Sequence, residues 1–512
     1  MLSCLPPAPK QHRIPRHTTY HEAHRPQYHF TPDSMWMNDP NGMVFFEGEY
    51  HLFYQFYPDS NVWGPMHWGH AVSEDLVHWE QLPMALVPDE RGYIFSGSAV
   101  VDHQHTAGFG QGDHPAMVAI FTYHDPVGEA AGRDDFQTQG IAYSLDRGRT
   151  WTKYAGNPVL PNPGIRDFRD PKVFWHEGTS RWVMILAVKD RVHLYTSPNL
   201  KQWTLASEFG AALGAHGGVW ECPDLFALDV EGQPGEQCWV MLVSIGDGGP
   251  NGGSATQYFI GDFDGERFVL DSAVESVQWL DWGKDNYAGV TWSNVPEADG
   301  RRLLIGWMSN WQYATVVPTY RWRSAMTLPR TLTLRQTPAG IRLYSAPVAE
   351  VARLRKPPLS MEGHLMAEEL RLDGIHSGST ELSLVMTWDS TAIPTELGLR
   401  LYNEAGEELF LGVLPQQEEL YVDRRTAGPS DFSPQFAGRH TAVHSPQGQR
   451  IALQVFVDRS SIEVFADGGR TVMTELVFPH QPFTHYELFT EGAPVEVASA
   501  KAWPLKSIWI KK

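Results

Sequence analysis

The sequence predicts an all-β protein, and three observations predict it. Aromatic and turn-forming residues are both abundant: 19 Trp, 18 Tyr and 24 Phe stand beside 46 Gly and 37 Pro in 512 residues. The longest apolar runs, Trp182 to Val188 and Cys238 to Ile245, have the length of buried strands. A short pattern also recurs, in which a strand-like run is followed by Ser, a turn and then an aromatic residue. It reads Ser73-Glu74-Asp75-Leu76-Val77-His78-Trp79, Ser144 to Trp151 through Asp146 and Gly148, and Ser197 to Trp203 through Asn199. A looser copy runs from Asp262 to Phe268 through Asp264 and Gly265.

Each copy is a hairpin whose tip is closed by Asp or Asn with Gly, and whose aromatic residue packs back on the next strand. Strand-like runs precede the first three copies at 67–72, 141–143 and 192–196. A unit of about 50–70 residues holding four strands is the size of a propeller blade. Trp79, Trp151 and Trp203 belong to this repeat and are assigned to packing. The copy at Ser144 to Trp151 fits the Asp-box turn of sialidases, which is a structural element and carries no substrate with it.

The repeat places a propeller over residues 25–336. Residues 337–358 read as a linker with one short helix, because Val348, Val351 and Leu354 are spaced by three. A second β region follows over 359–512. Ile451, Leu453, Val455 and Val457 alternate strictly, Ile462 and Val464 continue after a turn, and Asp467-Gly468-Gly469 reads as another turn. Several such strands suit a β-sandwich.

Composition narrows the function classes. Charged residues make up 20% and the formal net charge is −20, which argues against a nucleic-acid groove or an anionic membrane surface as partner. No stretch approaches the roughly 18 apolar residues of a membrane helix. Residues Met1 to Lys10 carry neither a basic start nor an apolar run, so a cytoplasmic location is expected unless a leader has been removed. Three cysteines, Cys4, Cys222 and Cys238, allow at most one disulfide. The histidines at 12, 17, 21, 24 and 29, and His103 with His105, lack paired ligand spacing, so solvated surface side chains and no metal are expected. No cofactor is expected. An open sheet edge in the second β region would suit a homodimer.

Three acidic residues sit in rigid local contexts, each near a proline. Pro40 restricts Asp39 to extended geometry in Trp36-Met37-Asn38-Asp39-Pro40-Asn41-Gly42. Arg169 precedes Asp170 in Arg166-Asp167-Phe168-Arg169-Asp170-Pro171, and Glu221 lies in Trp220-Glu221-Cys222-Pro223-Asp224. A carboxylate beside Arg is expected to keep a low pKa, and one beside Trp and Cys to be desolvated and raised. Such a separation suits acid and nucleophile roles. Each motif alone is more often an ordinary turn or core edge, and the three together leave a carboxylate-based hydrolase and a set of structural turns both open.

These three motifs, in this order, resemble the hallmarks of glycoside hydrolase family 32, the invertase, inulinase and levanase family. The resemblance runs from Arg25-Pro26-Gln27-Tyr28-His29-Phe30 to Val457 through Asp467. It implies a five-bladed β-propeller followed by a β-sandwich, and a retaining hydrolase acting on β-D-fructofuranosyl bonds. It makes Asp39 the nucleophile, Glu221 the general acid/base and Asp170 the stabiliser of the transition state, with Arg169 fixing the charge and orientation of Asp170. It also implies a fructose pocket of Asn38, Gln55, Trp63, Phe95, Ser96, Tyr287 and Trp307. Without the resemblance, Trp63 and Trp307 are equally blade-core aromatics, and Gln55 and Ser96 ordinary strand polars.

The segments Trp63 to Ala71, Pro88 to Asp102 and Gly306 to Tyr313 resemble the levanase and exo-inulinase branch. Release of terminal fructose from levan or inulin, with sucrose as a further substrate, is therefore expected. A sucrose-specific hydrolase, a fructosyltransferase and a non-catalytic fructan-binding propeller are the rival readings. A cytoplasmic enzyme would meet sucrose or imported oligosaccharides instead of polymer, which sets the location against the substrate.

Overall fold

The computed structural model describes residues 18–271 and 276–509. Among them every element is a strand except the one-turn α-helix Pro126–Ala130 and the 3-10 turn Ala349–Leu354. Cys4, His12, His17 and the Met1 to Lys10 segment lie outside the described residues.

Strands β1 (Met35–Phe46), β2 (Glu49–Tyr57), β3 (His67–Ser73) and β4 (Glu80–Leu86) form an antiparallel meander. The next is β5 (Tyr93–Asp102), β6 (Ala116–His124), β7 (Gln137–Ser144) and β8 (Thr152–Lys153), and the third is β9 (Phe168–His176), β10 (Arg181–Val188), β11 (Arg191–Ser197) and β12 (Thr204–Phe209). Then come β13 (Trp220–Glu231), β14 (Gln237–Ile245), β15 (Ala255–Phe263) and β16 (Phe268–Leu270), with the short β17 (Gln278–Trp279) beside β15. The last group holds β18 (Tyr287–Thr291), β19 (Arg302–Met308), β20 (Trp322–Arg323), β21 (Ala325–Met326), β22 (Arg330–Thr337) and β23 (Gly340–Pro347). Strand β20 pairs parallel to β1, tying the end of this region to its start.

The sheets stack face to face, which explains the continuous apolar runs. In β10, Trp182, Met184 and Leu186 pack toward the preceding sheet with Val118 and Ile120. Val183 and Ile185, on the opposite face, pack toward the following one with Met241 and Val243. A strand buried on both faces cannot alternate polar and apolar residues. The first strands of successive sheets lie against one another, β1 on β5, β5 on β9, β9 on β13 and β13 on β18, and β18 returns to β1. This closed ring of radially stacked meanders is a propeller arrangement.

The repeated turn joins the third strand to the fourth in four successive sheets. The Asp75 carboxylate accepts from the backbone N–H groups of Val77 and His78, Asn199 from those of Lys201 and Gln202, and Asp264 from those of Glu266 and Arg267. Asp146 accepts from Thr150 in the same way. The Trp151 and Trp203 indoles donate to the carbonyls of Gly148 and Leu200, so these aromatics close the turns as expected.

The expected linker is shorter than 337–358. Residues Gly340–Pro347 are β23, because Gly340, at φ +96°, turns the chain back and Ile341 and Leu343 bury against Leu332 and Leu334. The 3-10 turn then buries Val348, Val351 and Leu354 against the first region, as their spacing requires.

The second region is two six-stranded sheets facing each other over a core of Leu382, Leu384, Leu399, Leu411, Val455 and Val464. Its strand Arg450–Asp458 turns into Ser461–Ala466, where the sequence places them. His29 corrects the surface assignment made for the histidines. It is buried between Asp458 and Glu463 of the sandwich, 2.9 Å from each carboxylate. Cys222 and Cys238 are both free thiols.

Candidate active site

Each innermost strand is irregular at the same end of the ring. Register breaks fall between Met37 and Pro40 in β1, Ile94 and Gly97 in β5, Glu221 and Asp224 in β13, and Tyr287 and Val290 in β18. The break in the β9–β10 pair falls opposite Arg169 to Lys172. A bulge re-aims the side chains on either side of it. Asp170, Cys222 and Ala288 take left-handed backbone geometry at φ +64°, +43° and +52°. Such strain in non-glycine residues concentrates at functional sites.

These bulges bring the three carboxylates to one cavity of about 330 Å³. Asn38 donates to one oxygen of Asp39 at 3.0 Å, and Ser96 donates to the other at 2.8 Å. The Trp36 indole fixes the Asn38 carbonyl at 2.7 Å. Glu221 is held from two sides: Arg169 donates to Oε1 at 2.8 Å and the Tyr287 hydroxyl donates to Oε2. Asp170 accepts the Cys222 backbone N–H at 3.0 Å. The Cys222 thiol reaches toward both Asp39 and Asp170, at 3.5 and 3.6 Å.

Electrostatics departs from the sequence expectation at Asp170. Burial and the charges of Glu221 and Asp39 outweigh Arg169 and push the Asp170 carboxyl up to about 7. Arg169 lowers it but does not prevail, and its guanidinium pairs with Glu221 and with Asp167, the latter 2.6 Å away. Burial, with the Glu221 charge added, also raises Asp39 above the usual aspartate range. Below the site Lys172 meets Asp224 at 3.1 Å, and Asp224 accepts from Thr291, pinning β9, β13 and β18 together.

Asn38, Gln55, Trp63, Phe95, Ser96 and Arg169 line the cavity with Asp39, Asp170 and Glu221. Tyr287 stands behind Glu221 and reaches the site through that hydroxyl. Trp307 is fully buried between Trp36 and Trp311, and it is Trp311 that faces the cavity. His124, Glu129, Phe136, Gln137 and Asp167 also line the cavity, and sequence reasoning missed them as it missed Trp311. Asp167 and Trp311 stand inside segments singled out in the sequence. The residues from 124 to 137 carry no local signal, because their loop reaches the site only through the stacking of sheets. No group of three or more His, Cys, Asp or Glu side chains is placed to hold a metal ion among the described residues.

Three carboxylates converging on one cavity, inside a propeller followed by a β-sandwich, point to a glycoside hydrolase. Relatives in sequence and structure make the class specific. The N-terminal domain model of glycosyl hydrolases family 32 matches residues 29–347 and the C-terminal model matches 350–504, so the chain belongs to that family. It is 49% identical to a levanase of Bacillus subtilis (strain 168) over 96% of this chain and 72% of that protein. It is 38% identical to an extracellular exo-inulinase of Aspergillus awamori over 96% of each. A crystal structure of exo-inulinase from Aspergillus awamori superposes with a TM-score of 0.88 at 35% identity, covering 96% of this chain and all of that one.

Proposed function

We propose that this enzyme releases terminal β-D-fructofuranosyl units from levan- or inulin-type fructans, and from sucrose, with retention of configuration. The observation that carries the reading is Asp39, Asp170 and Glu221 around one cavity, with Glu221 clamped by Arg169 and Tyr287. The names of its levanase and exo-inulinase relatives support the substrate class. Five blades are proposed for the propeller, with β1, β5, β9, β13 and β18 as their inner strands.

In the mechanism, Glu221 gives a proton to the departing oxygen while Asp39 attacks the anomeric carbon, forming a fructosyl-enzyme ester. Water, deprotonated by Glu221, then cleaves that ester, which restores both carboxyl groups and frees fructose. Asn38 and Ser96 hold the Asp39 carboxylate in the attacking orientation. Asp170 accepts hydrogen bonds from the fructose hydroxyls, beside Gln55 and the aromatic face of Trp63. Trp311 takes the stacking position expected of Trp307, which acts by packing behind it.

Chromatography of early products from levan, inulin and sucrose tests this. Free fructose as the sole early product from polymer is expected. A ladder of oligosaccharides, or no fructose from any of the three, would overturn it.

A further inference from the structure

The cavity extends beyond the residues that engage fructose, and the extension follows the acid. From Glu221 the Arg169 guanidinium leads to Asp167. Beside this run stands the loop between β6 and β7, which carries Glu129 into the same cavity. Glu129 is held by His124 at 3.1 Å and by Arg166 at 3.3 Å. His124 in turn stacks on Phe95, with centroids 4.3 Å apart and planes 10° apart, and Phe95 meets the edge of Trp63. One wall is therefore aromatic and the other ends in two carboxylates.

The internal hydrogen bonds leave these carboxylates with capacity to spare. Glu129 side-chain exposure is 40% and that of Asp167 is 27%. An ionised carboxylate has about four acceptor sites and no donor, and Glu129 uses one interaction on each oxygen. A rigid acceptor opposite an aromatic face matches a sugar, which offers hydroxyl donors along its rim and C–H groups on its faces.

Resting on the fructosidase reading, we propose that the 124–137 loop forms the leaving-group subsite. Glu129, aided by Asp167, accepts hydrogen bonds from hydroxyls of the sugar that departs with the proton from Glu221. His124 is a positioning residue that locks Glu129 to the Phe95 and Trp63 wall. The subsite takes a neutral polyhydroxylated leaving group and gains nothing from a leaving group without hydroxyls.

The test compares 1-kestose, whose leaving group is a disaccharide, with methyl β-D-fructofuranoside, whose leaving group is methanol. For Glu129→Ala and Glu129→Gln, the ratio of kcat/KM on 1-kestose to kcat/KM on the methyl fructoside should fall about tenfold or more in the first variant and less in the second. Taking a ratio within each variant removes any loss of folded enzyme. An unchanged ratio in both variants, in an active enzyme, overturns the subsite. A wild type that releases fructose from neither compound instead removes the fructosidase reading on which it stands.

Discussion

Glu221 and Asp39 show how one charge sets the working range of another. Asp39 is raised by burial first and by the Glu221 charge second. Replacing Glu221 with Gln deletes that charge and the proton donor together. On fructans, loss of a general acid and base should lower kcat by about 10²- to 10⁴-fold. On an activated aryl fructoside, which leaves without help, the acid limb of kcat/KM should move to lower pH, because Asp39 then stays ionised further down. A limb that stays in place or moves up in pH–rate measurements would show that Glu221 does not raise Asp39. The three carboxylates were legible because each stands in a short rigid motif. The state of Asp170 was not, because it depends on burial and on the charges of Glu221 and Asp39, which only the folded ring brings beside it.

At the scale of elements, the recurring turn was the most legible feature, since Asp or Asn satisfies backbone N–H groups within four residues of itself. Local hydrogen bonding leaves a local signature. The boundary at β23 was less legible, because Gly340 and its two flanking strands look like the linker composition around them. The 124–137 loop had no signature at all, since its residues acquire meaning only when β5 and β9 stack beside it. The turns should matter for stability and not for chemistry. Asp146→Ala removes the acceptor for Thr150 N–H at an exposed hairpin tip. Thermal or urea unfolding should show a loss of about 1 kcal/mol with kcat unchanged. A fall in kcat with stability intact would mean that the turn transmits to the site.

Across the whole molecule, the propeller and sandwich share buried charge as well as apolar surface. Arg330, fully buried on β22, meets Asp281 at 2.9 Å and also Glu463 of the sandwich, which in turn meets His29. Arg424 of the sandwich reaches Asp285, while Tyr313 donates to the same carboxyl group. Tyr313 lies two residues beyond Trp311, so the sandwich steadies a wall of the cavity. Asn251, in the glycine-rich loop between β14 and β15, adds a further tie by bonding Thr441 of the sandwich through both its amide and its carbonyl.

Removing one partner from such a cluster leaves a buried charge uncompensated, at a cost of about 3–5 kcal/mol. Arg330→Ala should show that loss in urea unfolding near neutral pH, and a loss below about 1 kcal/mol would mean that water or rearrangement replaces the guanidinium. The same cluster predicts a pH dependence of definite sign. Burial alone would lower the His29 pKa, but its bonds to Asp458 and Glu463 raise it to about 9. The native state therefore holds a proton that the unfolded chain releases near the ordinary value of 6.5. The stabilisation from His29 is complete below 6.5 and is lost as pH rises through about 9. Glu463 is lowered, so its contribution is present above its ordinary value and is lost only as pH falls. Unfolding midpoints from pH 6 to 10 should decline in the wild type and decline less in His29→Gln. Parallel declines would place the titrating group elsewhere in the interface.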